Sequence, residues 1–126
     1  MLENVDVRDG ADGKKVPVFW SLGNFVSGQI EKPRMLGGMA KLTLEKTGDA
    51  CKVTEYSLTP LVTHRAPNPS MSVYKLSDYT EELASQNAIR NAPGCGDFTL
   101  QYCYDLVGQI LGEGFDANEG ILKGTL

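Results

Sequence analysis

The sequence predicts an α+β domain: a mainly antiparallel sheet of about four strands followed by two helices. Three observations carry this. The first half alternates apolar and polar residues between Asp/Gly turns, the stretch APNPSMS breaks the pattern, and apolar residues then recur at helical spacing.

Residues 2–7 form the first expected strand, with Leu2, Val5 and Val7 as its apolar positions. RDGADGKK follows, and its two Asp/Gly pairs mark a polar hairpin turn. Residues 16–22 return as a second strand. Val16, Val18 and Trp20 point one way and Phe19 the other, so both faces are apolar and the strand is expected to be central and covered. Pro17 sits near its start, where a sheet tolerates proline.

GQIEKPR reads as a loop. MLGGMAKLTLEK resumes as a strand, with Met39, Lys41 and Thr43 alternating against Ala40, Leu42 and Leu44. After the turn TGDA comes CKVTEYSLTPLVTHR, with Cys51, Val53, Glu55 and Ser57 on one side and Tyr56 and Leu58 on the other. The two strands make an antiparallel hairpin. Pro60 predicts an edge, a bend or a bulge late in the second one.

Residues 66–76 are expected to be a linker loop between a β-rich segment, 1–65, and a helical segment, 77–126, of a single domain or fragment. SDYTEELASQNAIRNA predicts a helix capped by Ser77 or Asp78, with Glu81 in capping-box spacing and a thin stripe of Tyr79, Leu83, Ala84 and Ile89. A second helix is predicted over 97–111 from Leu100, Cys103, Leu106, Val107, Ile110 and Leu111, closed by Gly112 and Gly114. The polar, glycine-rich tail FDANEGILKGTL receives no element.

At 126 residues the chain fits one domain. Its net charge of −4, from 16 acidic and 12 basic residues without a basic block, argues against nucleic acid or anionic lipid as the main partner. Cys51, Cys95 and Cys103 have neither the number nor the spacing of a disulfide framework or a zinc site. MLENVDVRDG has no signal-peptide character, and no run reaches the roughly 18 apolar residues of a membrane span.

Signals for chemistry are sparse. His64, the one histidine, lies beside Arg65 with no second histidine or carboxylate cluster to share a metal, so a structural role is preferred. Ser21 lacks the G-x-S-x-G frame of a nucleophile elbow. Cys95, in PGCGD, looks like an exposed loop thiol near the start of the second helix, although a plain loop cysteine before a cap at Asp97 is the simpler reading. The paired glycines of LGGMAK fit close backbone packing rather than a nucleotide loop. Glu81–Glu82 and Glu113–Asp116 occupy positions that normally face water. No residue is assigned a catalytic or metal-binding role.

The stretch GKKVPVFWSLGNFVSGQ, with the strand pair GGMAKLTLEKTGDACKVTEYSLTPLVTH after it, resembles the C-terminal part of the bacterial CapA or PgsA family of poly-γ-glutamate capsule biosynthesis proteins. The family's form G-K-x-V-x-Y-S-L-G-N-F-V-F is met by Gly13, Lys14, Val18, Trp20 in the aromatic place, and Ser21, Leu22, Gly23, Asn24, Phe25 and Val26, with Pro60 downstream. The resemblance covers about residues 1–65. It implies a calcineurin-like metallophosphoesterase architecture in the full-length, envelope-associated family, with a divalent metal held by aspartates, asparagine and histidines upstream of the matching segment.

This chain contains none of those ligands, so no cofactor is expected in it, and the remainder of the parent domain is its implied partner. Ser21, Gly23, Asn24 and Phe25 then become candidates for a turn beside the metal site or facing substrate. The competing structural account is a tight turn at Gly23, with Asn24 capping it through its own backbone and Trp20 and Phe25 packing. Two further functions remain open: a binding or assembly module that dimerises through an exposed sheet edge, and a small enzyme using Cys95.

Overall fold

In the computed structural model, which describes every residue except Pro69, the order of the main elements is β1 (Val5–Asp9), β2 (Lys15–Phe19), β3 (Leu36–Thr47), β4 (Ala50–Arg65), β5 (Met71–Lys75), α1 (Glu81–Gln86), α2 (Leu100–Leu111), β6 (Phe115–Asp116) and β7 (Ile121–Thr125). All strand pairs are antiparallel. The class is therefore α+β, as predicted, with two sheets: a two-stranded one, β1–β2, and a five-stranded one of order β3–β4–β7–β6 in which β5 also pairs with β4.

The long hairpin β3–β4 is the frame. Leu36 pairs with Val62 at one end and Thr47 with Ala50 at the other. On its core face Leu36, Leu58 and Val62 are fully buried, and they pack with Cys103, Val107 and Leu111 of α2 and with Phe98, Ile89 and Leu76. The irregularity at Thr43/Leu44 gives β4 one extra residue, since Thr43 pairs with Glu55 and Leu44 with Val53. A bulge shifts the alternation by one. Val53 therefore falls on the face of Tyr56 and Leu58, and the expected side shared by Val53, Glu55 and Ser57 is corrected.

Pro60 interrupts nothing. It pairs with Gly38, whose amide donates 2.7 Å to the Leu22 carbonyl and so points away from β4. In an antiparallel ladder the facing residue of such a pair also turns its nitrogen outward. The position lacking an N–H thus faces the gap between β7, which pairs with residues 55–58, and β5, which pairs with residues 61–65. A central strand carries a local edge there, and that is where the proline sits.

Two stretches differ from expectation by forming strands. Met71–Lys75, inside the expected linker, pairs with Leu61–Arg65. The unassigned tail folds as the β6–β7 hairpin, which adds β7 to β4. Both lack strong local alternation and are held by the ready-made edge of β4.

The helices begin at hydroxyl caps. Thr80 accepts from the Leu83 amide at 3.1 Å and Thr99 from the Tyr102 amide at 3.0 Å. The expected caps Ser77, Asp78 and Asp97 lie outside both helices. Glu81, rather than closing a capping box, accepts 3.2 Å from the Leu100 amide at the start of α2. Its negative charge suits a helix N-terminus. Among the described residues, no helix is long and apolar enough to cross a membrane.

Candidate functional site

The Ser-Leu-Gly-Asn-Phe turn joins the two sheets. The ladder of β1–β2 continues irregularly past Phe19: the Glu3 amide donates 3.0 Å to the Ser21 carbonyl, and Leu2 bridges Leu22. On the other side Gly23 bridges Gly37 of β3. Residues 22–23 are therefore flanked by chain on both sides. Lys15–Phe19 is not, and the expectation of a central, doubly covered strand is corrected: β2 has one partner, β1. One face of the hairpin reaches the core through Val5 and Phe19, the latter edge-on to Tyr56 at 6.4 Å. On the other face Val16 and Val18 are half-buried and Trp20 is exposed.

Close packing at the turn needs residues without side chains. Gly23 has φ of +69°, and a Cβ there would lie 2.9 Å from both the Leu2 nitrogen and the Leu36 carbonyl oxygen. A Cβ on Gly37 would land on the Asn24 carbonyl oxygen. Left-handed backbone combined with such contact leaves only glycine. The LGGMAK glycines thus serve close backbone approach, as their sequence context indicates.

The side chains of the turn look inward and outward in equal measure. Ser21 Oγ accepts 3.2 Å from the Gly23 amide. Asn24 Nδ2 donates to Gln29 Oε1 and, at 3.3 Å, to the Arg34 carbonyl. Asn24 therefore ties the turn to the following loop, not to its own backbone. Phe25 is 70% exposed and Trp20 53% exposed, so neither is packed in the way the structural account expects. Trp20 Nε1 instead donates 2.8 Å to Asp6 Oδ2, with the Arg8 guanidinium 5.4 Å from the ring centroid. That hydrogen bond, with the Arg8 pair, holds the Asp6 carboxyl below the ordinary range. Val26, next to Phe25, takes φ of +51°, an uncommon state for a β-branched residue.

His64 and Cys95 lie elsewhere. His64 is buried at the far end of β4, its Nδ1 2.7 Å from the Tyr79 hydroxyl. Asn87 Nδ2 donates to that hydroxyl and to the Thr63 carbonyl, both at 3.1 Å. A phenol that accepts from Asn87 has its one hydrogen left for Nδ1, so neutral His64 carries its own proton on Nε2. Burial lowers the His64 pKa and raises that of Tyr79. Sequence spacing gave no sign of this trio, because β4, the turn at Tyr79 and Asn87 meet only in the fold.

Cys95, expected in an exposed loop, is buried, with Sγ 3.6 Å from the Pro93 carbonyl and 3.9 Å from that of Ile30. The chain's one histidine, the usual base beside a reactive thiol, is engaged with Tyr79. Cys103 is buried on the core face of α2, and that burial pushes its thiol up to about 12. Among the described residues, no three His, Cys, Asp or Glu side chains come together to hold a metal ion. The donors present do not fit the metal centre that the resemblance implies for the longer family.

No protein-family model, curated protein or solved structure matches the chain.

Proposed function

We propose that this chain is the C-terminal portion of a CapA-like capsule biosynthesis protein, supplying sheet and turn to a metallophosphoesterase-like domain whose metal ligands lie in the segment preceding it. One observation carries the reading. The Ser21–Asn24 turn is fixed from three sides, by Leu2, by Gly37 and by the Arg34 carbonyl, while Phe25 and Val26 beyond it are presented outward. A rigid turn with an exposed apolar tip is suited to abutting another part of a larger domain. The test is the genomic sequence directly upstream in the same frame. D-x-H and G-x-H-x-H motifs are expected there, and a frame without them removes the proposal.

A second reading, a self-assembling module, is favoured by the outer edge of β3. Among the described residues, β3 has no strand partner on that side from Met39 to Thr47, beyond the Gly23 bridge, and Leu42 and Leu44 are exposed. Long apolar edges recruit further strands. Size-exclusion chromatography with light scattering separates the readings: a dimer that a Leu44→Lys substitution dissociates supports assembly, and a monomer at high concentration rules it out.

A further inference from the structure

The face of the large sheet opposite α2 holds a concavity of about 670 Å³ over β3, β4 and β7. The strand register arranges its lining in rows. Lys41, Ser57 and Lys123 form one and Thr43, Glu55 and Thr125 the next, while Met39 pairs with Thr59 at the end where Ile121 and, on β5, Lys75 also line the hollow. Ser57 pairs with Lys41 on one side and Lys123 on the other, so a lysine side chain starts from the neighbouring strand on each side of one hydroxyl-bearing residue. Their backbones stand two strand spacings apart, about 10 Å, and two flexible lysine arms can close on one anion between them.

This face runs against the net charge of the chain, as does the tip of the β3–β4 hairpin, where Lys14, Lys15 and Lys52 are instead paired with Asp12, Asp9 and Glu45. The chain as a whole carries −4, yet the concavity is lined by three lysines against one carboxylate, Glu55, whose Oε2 lies 3.5 Å from the Thr43 hydroxyl. Lys41 and Lys75 make no ion pair among the described residues. Lys123 pairs with Glu119 at 2.8 Å in an exposed geometry of little worth. No arginine lines the cavity. The arginine fork reads carboxylate and phosphate alike, while lysine binds phosphate as a point charge, with hydroxyls donating to the remaining oxygens.

We infer that this sheet face binds a small organic phosphate, its phosphoryl group seated over Ser57 between Lys41 and Lys123. The cavity lies within the size range of small-molecule sites. Met39 and Ile121, at one end of the hollow, give the organic part an apolar floor. This site is separate from the Ser21–Asn24 turn and does not depend on the capsule-protein reading.

The test is an NMR titration of the 126-residue chain with ribose 5-phosphate, inorganic phosphate and succinate at matched ionic strength. Saturable amide shifts confined to the residues lining the hollow are expected with ribose 5-phosphate, and weaker ones with inorganic phosphate. Lys41→Gln and Lys123→Gln should each weaken binding roughly fivefold to tenfold, and Lys46→Gln at the hairpin tip should leave it unchanged. Glu119→Gln, which frees Lys123, should tighten it, a gain that misfolding cannot produce. Non-saturating shifts spread over all lysines, binding indifferent to Lys41 and Lys123, or succinate binding as tightly as ribose 5-phosphate would each overturn the inference.

Discussion

The β1–β2 and β3–β4 hairpins both pair antiparallel strands across a turn rich in Asp and Gly, yet one lies at the periphery and the other organises the core. No residue of Val5–Asp9 or Lys15–Phe19 is fully buried, whereas β3 and β4 place Leu36, Leu58 and Val62 at 0% exposure. The difference does not lie in local apolar content, which is no lower in VPVF than in KLTL. It lies in partners: β4 is paired on both sides and covered by α2, while β2 has only β1. A hairpin contributes stability in proportion to the apolar surface that neighbouring elements bury on it. The turn at Leu22–Gly23 is where the weak hairpin is fastened to the strong one.

This contrast can be broken from the core side first. Leu58→Ala should cost about 3–4 kcal/mol, because it empties a fully buried position that α2 cannot collapse to fill. Urea denaturation monitored by circular dichroism measures it, and a loss under 1 kcal/mol would mean that β4 is not the core strand.

Next comes the fastening. Gly37→Val places side-chain atoms on the Asn24 carbonyl and should cost about 3 kcal/mol, or release the turn altogether. Release would appear as protease cleavage near Phe25 while far-ultraviolet dichroism persists. Equal resistance to cleavage in the variant and the parent, at unchanged stability, would sink the account of the stitch.

The buried trio is a subtler probe. Tyr79→Phe removes the acceptor for Asn87 and the donor to His64, an expected loss of about 1–2 kcal/mol. The same trio sets a pH dependence. The folded state lowers the His64 pKa from its ordinary 6.5, so folding holds the ring neutral. The unfolded chain then binds more protons, and stability is fully present above 6.5 and declines as pH falls toward the folded value. Protonated Nδ1 could no longer accept from Tyr79. Stability measured at pH 7.5 and 5.5 should therefore drop, and His64→Gln should flatten the drop. The exposed carboxyls of Asp6, Asp12 and Asp97, also lowered, act in a separate window below 3.8.

The smallest effect belongs to the peripheral hairpin. Trp20→Ala should cost under about 1 kcal/mol, since it removes an exposed hydrogen bond to Asp6 and a surface contact with Arg8. A loss as large as that of Leu58→Ala would erase the distinction between the hairpins.

The paired glycines of LGGMAK and the α2 stripe were readable because each rests on a local constraint: a backbone that excludes Cβ, and a 3.6-residue period. The caps were read two or three residues early, since Ser, Thr and Asp crowd both helix starts and only the fold selects Thr80 and Thr99. The candidate turn was legible as a turn, but the destination of Asn24 Nδ2 was not, because Arg34 lies beyond a loop of its own. The lysine row was invisible while residues 121–125 had no strand assignment.

By itself the sequence determined the α+β class, the β3–β4 hairpin, α2 and the glycine-dependent turn, since periodicity and steric exclusion act over a few residues. The tertiary structure decided which hairpin is central, where Pro60 finds its gap, that 71–75 and 121–125 become strands, and which side chains meet around His64 and Ser57. Those outcomes depend on the free edge of β4, and a strand edge selects its partners through space rather than along the chain.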